Sequence, residues 1–291
     1  MSDKLLNNFF DISDLNSDLI YKILRYKDFK KHLVDRHIGL IFEKYSTRTR
    51  LSFKVAISLL GGNSIDIKFD ELNISREESF EDTFRAMGTY LDGIVYRTDN
   101  HKKLLIASEY FKKPIINALS NKSHPCQTLG DLLTLFEIFG SLELKILWIG
   151  DMNNVCFSLI QAANILKEIE LTICTPISIS KDINWNLCSN VKIINEIQSI
   201  DFKNLNCVMT DVFISMNDHE NNEKVSNLKN YKVTHDLMSK TPSNCVFMHC
   251  LPAKVGFEVD ESVIRGDKSI IWKQAFNRMI AQKKLLHFID W

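Results

Sequence analysis

Five short clusters in this chain hold residue types that can do chemistry together. The first is Ser46-Thr47-Arg48-Thr49-Arg50, set between an apolar run and a helical stretch. Free backbone N–H groups and the helix dipole make such a junction an anion site. Ser46, Thr47 and Thr49 add hydroxyl donors, and the Arg48 guanidinium offers a fork for phosphate oxygens. A Ser/Thr helix cap with solvated arginines is the plain alternative. The second cluster, His124-Pro125-Cys126-Gln127, opens a long helical stretch, with Pro125 suited to the first turn. His124 and Gln127 could donate to a carbonyl oxygen, or His124 could simply pack.

The third, Asp211-Val212-Phe213-Ile214-Ser215-Met216, follows an apolar run. Asp211 at a strand end could hold an ammonium group, or could cap a loop. The fourth is His249-Cys250-Leu251-Pro252-Ala253, after Val246-Phe247-Met248. Cys250 there is placed for a functional thiol, the alternative being a buried structural cysteine. The last is Asn277-Arg278 on the final helical stretch, where a lone arginine would ordinarily lie on a solvated face.

The surrounding pattern is an alternation of strands and helices. Strands are expected at Ile38–Phe42, Ser64–Ile67, Gly93–Arg97 and Pro114–Ala118, with helices at Thr49–Leu60, Glu78–Leu91, Lys102–Phe111 and Gln127–Phe139. The Thr49–Leu60 helix, with six apolar residues, reads as packed. The alternation restarts near Ser141, with strands at Leu144–Ile149, Leu171–Cys174, Val191–Asn195, Cys207–Thr210 and Cys245–His249. Helices near Asn154–Leu166 and Gln274–Phe288 complete it. Such alternation predicts an α/β protein of two domains, each a mostly parallel sheet flanked by helices. The expected boundaries are 1–140, 141–270 and a C-terminal helix over 271–291. The polar clusters fall just after expected strands, where ligands bind in open parallel sheets.

With 291 residues the chain is long enough for two such domains. Lys+Arg and Asp+Glu both number 36, so no global field favours nucleic acid or an anionic membrane. No apolar run approaches the roughly 18 residues that span a bilayer, and the N-terminal stretch does not read as a secretion signal. The seven cysteines are scattered and odd in number, which reads as reduced thiols in a cytoplasmic protein without a structural metal.

Taken together and in order, from about Leu40 to Leu286, these clusters resemble the carbamoyltransferase family. S-T-R-T-R and H-P-C-Q resemble motifs shared by its aspartate and ornithine branches. Asp211 with Ser215-Met216, and His249-Cys250-Leu251-Pro252, resemble the ornithine branch; the aspartate branch has Pro in place of that Cys. The resemblance implies transfer of a carbamoyl group from carbamoyl phosphate to the side-chain amine of L-ornithine, giving citrulline and phosphate in arginine biosynthesis. It implies no cofactor, no metal and a homotrimer, with a first domain for carbamoyl phosphate and a second for ornithine. Ser46, Thr47, Arg48 and Thr49 would cradle the phosphate, with Arg97 and Arg278 adding charge. His124, Gln127 and Arg97 would donate to the carbamoyl oxygen, and Cys250 and Leu251 would complete that site. Asn73 would reach it from a neighbouring subunit. Asn154, Asp211, Ser215 and Met216 would hold ornithine, with Asp211 on its α-ammonium, and Cys250 would orient and help deprotonate the attacking amine. Arg48, Arg97, His124 and Cys250 are the expected catalytic group.

The flanks depart from that pattern at Asn73, where Gln is common, at Asn217 for Gly, at Val255 in the stretch after Ala253, and at Phe276 for Glu. These changes bear on turnover and affinity more than on reaction type. Two rival readings are another acceptor amine, such as putrescine, an acylated ornithine or aspartate, and a relative that binds carbamoyl phosphate without turning it over. Whether flux runs toward arginine synthesis or ornithine recovery is open at this level.

Overall fold

A computed structural model describes residues 5–28, 30–181, 183–214 and 222–291. The chain divides into two compact units, Met1–Leu133 with Phe276–Trp291, and Thr134–Ala275.

In the first unit the strands are β1 (Asn8–Phe9), β2 (His37–Phe42), β3 (Asn63–Lys68), β4 (Gly93–Arg97) and β5 (Ile115–Leu119). They form one sheet in the order β1-β5-β4-β2-β3, and every pairing is parallel. Buried parallel strands are covered on both faces and so read as continuous apolar runs; β4 is buried along its whole length. Between the strands run α1 (Ser17–Arg25), α2 (Arg48–Leu59), α3 (Phe80–Tyr90) and α4 (His101–Tyr110), and α5 (Pro125–Phe139) follows β5. Ile41, Phe84, Ile94, Tyr96, Leu104 and Phe111 share one core cluster. The sequence reading had no strand before Ile38 and no helix at Ser17–Arg25. Helix α2 also differs from expectation. Its inner face buries Phe53, Ala56 and Ile57, whereas Leu51, Val55 and Leu59, four residues apart, form an exposed apolar stripe.

The second unit repeats the plan. Its strands are β6 (Leu144–Ile149), β7 (Ile169–Cys174), β8 (Val191–Ile194), β9 (Cys207–Thr210) and β10 (Val246–His249). The order is β10-β9-β6-β7-β8, again all parallel. Its helices are α6 (Asn154–Ile165), α7 (Ile177–Ser180), α8 (Asn222–Leu228), α9 (His235–Ser239) and α10 (Glu261–Ile264); α11 (Ile271–Leu286) ends the chain. Among the described residues no helix is long and apolar enough to cross a membrane.

Within each sheet the chemistry-bearing residues sit at the carboxyl ends of strands: Ser46 after β2, Arg97 closing β4 and His124 after β5 in the first unit, and Asn154 after β6, Asp211 after β9 and Cys250 after β10 in the second. The turn after β6 shows how such an end is shaped. Gly150 has φ +117°, a conformation that favours glycine, and a Cβ there would meet the Thr210 hydroxyl and the Phe213 ring at 3.3 Å. The buried Trp148 donates its indole N–H to the Asp151 carbonyl at 2.9 Å, tying the turn to the central strand. Trp148→Phe would leave that carbonyl without its donor and should cost about 1–3 kcal/mol, read as a lower midpoint of urea unfolding. An unchanged midpoint would show that the turn does not depend on this bond.

Candidate active site

The first unit has an open helix start at α2, and two further arginines, Arg97 and Arg278, act on His124. Thr47 takes the N-cap position of α2 but makes no side-chain capping hydrogen bond, so the first-turn N–H groups are not covered by a Ser/Thr cap. Thr49 is buried, Ser46 and Arg48 are half-buried, and Thr47 and Arg50 are exposed. The Nε of Arg48 is buried with no hydrogen-bond partner. A helix start left open beside a half-buried arginine has the makings of an anion cradle.

Arg97 leaves β4 at a register shift against β5, where Tyr96 pairs with Asn117 but Arg97 with Leu119. The bulge re-aims the end of the strand. Arg278 is 4% exposed, so it does not lie on a solvated face. Its position follows from Gly130: a Cβ at Gly130 would come within 2.8 Å of the Arg278 Cα. The two helix backbones therefore meet at a glycine, and Arg278 Nη1 donates to Gln127 Oε1 at 3.0 Å. Gln127 in turn donates Nε2–H to Asp131 Oδ1 at 2.8 Å. An acid, an amide and a guanidinium form a relay one turn deep, which sets the plane of Arg278. Asp131 was not singled out in the sequence; its spacing of four from Gln127 on a helix is the signal that could have found it.

His124, at the entry to α5, is almost fully buried. Burial, then the charges of Arg278 and Arg97, push its pKa well below the usual imidazole range. The ring is therefore neutral and able to donate one N–H to an oxygen that gains negative charge. Asn73, itself exposed, opens a short 3-10 helix, Asn73–Arg76.

The second unit builds a carboxylate site. Asp211 is buried, and both its oxygens are engaged: Oδ2 accepts from Asn153 Nδ2 at 2.7 Å and Oδ1 from the Cys250 thiol at 3.1 Å. Asn153 is the N-cap of α6, its Oδ1 accepting from the N–H groups of Val155 and Cys156 at 3.0 and 3.2 Å. One side chain thus caps a helix with its oxygen and orients Asp211 with its nitrogen. The sequence reading chose Asn154, the buried first residue of α6, and passed over Asn153; an Asn directly before a helix after a strand and turn is a cap signature. Ser215, Met216 and the altered Asn217 lie outside the described residues.

Cys250 is half-buried, and the following loop is shaped by His249. Its Nδ1 accepts from the Leu251 N–H at 2.9 Å, and its Nε2 donates to Glu258 Oε1 at 3.3 Å. Leu251 has φ +60°. The ligand-type atoms of Asp211, His249 and Cys250 lie within 4.8 Å of one another. Both His249 nitrogens and both Asp211 oxygens are already committed to protein partners, so this group reads as an orienting network rather than a metal cage.

An anion cradle with a neutral histidine donor in one unit, and an oriented carboxylate beside a thiol in the other, give the comparison with known proteins its context. Residues 7–137 match the carbamoyl-P binding domain of aspartate/ornithine carbamoyltransferase, and residues 142–289 match its Asp/Orn binding domain. The chain belongs to the aspartate/ornithine carbamoyltransferase family. An ornithine carbamoyltransferase of Psychrobacter cryohalolentis is 36% identical, covering 98% of this chain and 97% of that protein. The structure of the ornithine carbamoyltransferase from Pyrococcus furiosus superposes with a TM-score of 0.89 at 31% identity, covering 99% of this chain and 98% of that one. The structure of an anabolic ornithine carbamoyltransferase from Campylobacter jejuni gives 0.86 at 31% identity, covering 97% and 99%.

In a member of this family the close approach at Gly130 has a testable consequence. Gly130→Ala puts a Cβ 2.8 Å from the Arg278 Cα and should push Arg278 away from Gln127; for an arginine that serves a bound anion, binding of inorganic phosphate should then weaken by about tenfold. Calorimetric titration of the folded variant measures it. Phosphate affinity equal to that of the parent would show that Arg278 does not serve the anion.

Proposed function

We propose that this chain is an enzyme that transfers the carbamoyl group of carbamoyl phosphate to the side-chain amine of L-ornithine, giving L-citrulline and phosphate. The observation that carries the choice of acceptor is the Asp211 carboxylate. It is buried at the end of β9 and held by Asn153 and the Cys250 thiol, a setting suited to an acceptor with an α-ammonium group. An acylated ornithine carries no such ammonium and would make no use of it; putrescine carries one, but lacks the α-carboxylate that the groups at the amino-acid end would hold.

The chemistry follows from the groups in place. The open start of α2 with Ser46, Thr47, Arg48 and Thr49 would take the phosphate, and Arg97 and Arg278 would add charge that improves phosphate as a leaving group. The neutral imidazole of His124 would donate to the carbamoyl oxygen as the amine attacks. Arg97, and Gln127 through its second amide hydrogen, would add to that donation. Preorganised donors at such an oxygen are worth roughly 3–4 kcal/mol each. The amine of ornithine must lose its proton first, since its free pKa is lysine-like, about 10. Cys250 would orient that amine and help remove its proton without becoming acylated, and Leu251 would complete the carbamoyl site. Asn154, with Ser215 and Met216, would hold the amino-acid end. The new C–N bond then forms, the C–O bond to phosphate breaks, and phosphate departs. The donor is already activated, so the reading needs no cofactor.

We further read the protein as a cytoplasmic homotrimer of arginine biosynthesis. The exposed apolar stripe of Leu51, Val55 and Leu59 on α2, with exposed Ile65 on the edge strand β3, supports self-association next to the phosphate loop. Asn73, exposed in the same unit, would then serve a neighbouring copy. The seven cysteines are all free thiols, which suits a reducing compartment. The Campylobacter jejuni relative is described as anabolic, which favours the biosynthetic direction.

Product formation from carbamoyl phosphate with ornithine, putrescine and aspartate in parallel tests the acceptor. Ornithine should be preferred over putrescine by at least about a hundredfold in kcat/KM, because putrescine lacks the α-carboxylate and leaves the polar groups that would hold it unmatched. Faster carbamoylation of aspartate or putrescine, or no product from any amine, would overturn the reading.

A further inference from the structure

Glu43 stands three residues before Ser46, where a carboxylate is electrostatically out of place beside a site for an anion. It is not a solvated charge: its side chain is 5% exposed. Its Oε1 accepts from the Tyr96 hydroxyl at 2.6 Å. Its Oε2 accepts from the Thr98 hydroxyl at 2.9 Å, the Asp99 N–H at 3.2 Å and the Lys103 ammonium at 2.9 Å. Its own N–H donates to the Arg97 carbonyl at 3.0 Å. One residue therefore grips the backbone of Arg97 and the residues on both sides of it, while its chain leads directly into Ser46-Thr47-Arg48.

The charge is balanced within the same knot. Lys103, on α4, bridges Glu43 and Asp99, and its ammonium lies 5.3 Å from the centre of the Phe69 ring. Phe69 starts the short helix that precedes Asn73. Burial alone would lower the Lys103 pKa, but hydrogen bonds to Glu43 and Asp99 carry it above the usual lysine range, so the ammonium stays charged. Three segments, 43–50, 96–99 and 69–73, are thus joined through one carboxylate and one ammonium.

We propose that Glu43 is a positioning residue for carbamoyl phosphate, aligning Arg97 with the Ser46–Arg50 loop without touching the substrate. The inference deepens the carbamoyl-transfer reading and rests on it. Against β5 the β4 end shifts register between Tyr96 and Arg97, so only the β2 side, where Arg97 pairs with Phe42, holds it in a regular ladder; the Glu43 carboxylate adds a second hold through Tyr96, Thr98 and Asp99 on both sides of Arg97. A neutral amide in its place could accept from only part of this donor set and would set an NH2 against the Lys103 ammonium or the Thr98 hydroxyl.

The test is Glu43→Gln, read by inorganic phosphate affinity and by steady-state kinetics. Phosphate affinity should fall and the carbamoyl phosphate KM should rise, each by about tenfold or more, as expected when charge-assisted bonds that orient an arginine are lost. The ornithine KM at saturating carbamoyl phosphate should stay within about twofold, because that half-site is untouched. Should Glu43→Gln fail to fold, Thr98→Val removes a single hydroxyl from the knot and should still weaken phosphate binding by about threefold. Unchanged phosphate affinity in the folded variants would overturn the proposal. So would an equal loss for both substrates together with lowered stability, which is the mark of a merely structural role. Because phosphate binding is read without an acceptor, it decides the role of Glu43 even for a chain that formed no citrulline.

Discussion

Positive charge held out of water is the constraint on which the phosphate half of this protein depends. Arg97 and Arg278 are almost fully buried, and a guanidinium keeps its charge in any protein setting. Two such groups near one another are costly unless opposite charge or oriented dipoles meet them. The chain meets part of that cost with the Asp131–Gln127–Arg278 relay. It yields further by leaving His124 neutral. A doubly charged ligand would supply the remainder, which links affinity for phosphate to that burial. The open start of α2 works in the same direction, since N–H dipoles without a side-chain cap favour an anion at that point.

The acceptor half solves a smaller version of the problem with the opposite sign. Asp211 is a buried carboxylate, and Asn153 and Cys250 give it one donor per oxygen. Neither donor carries a formal positive charge in the hydrogen-bonded form, so a cationic ligand group would still gain by approaching it. Asn153 can orient Asp211 because its other end is fixed as the cap of α6. The helix start and the buried acid are in this way one construction.

Much of the fold was legible because buried parallel strands are short continuous apolar runs. Strand β4 was read at its observed limits, Gly93–Arg97, and β2 to within one residue. Strand β1 escaped, since two residues, Asn8 and Phe9, become a strand only by pairing with Ile115 and Ile116 far along the chain. Helix α1 escaped although Asn16 caps it and Ile20, Ile23 and Leu24 have helical spacing, because nine residues are a short window in which to see that period. Helix α2 was read as packed because composition cannot tell an apolar stripe facing a core from one facing outward. The motif residues were legible one by one. Their supports were not, because Glu43 meets Thr98 across 55 positions and Asn153 meets Asp211 across 58. No local pattern reports such pairings.

The central claim is that one bond forms, between the carbamoyl carbon and the side-chain nitrogen of ornithine. Carbon-13 NMR of the reaction of ¹³C-carbamoyl phosphate with ornithine labelled by ¹⁵N at the side-chain amine tests it directly. The account predicts a citrulline carbonyl split by one-bond coupling to that nitrogen, appearing as the phosphate signal grows in ³¹P spectra. A ¹³C signal that stays with carbamoyl phosphate or its hydrolysis products, or a product whose carbon shows no coupling to the labelled nitrogen, would contradict it.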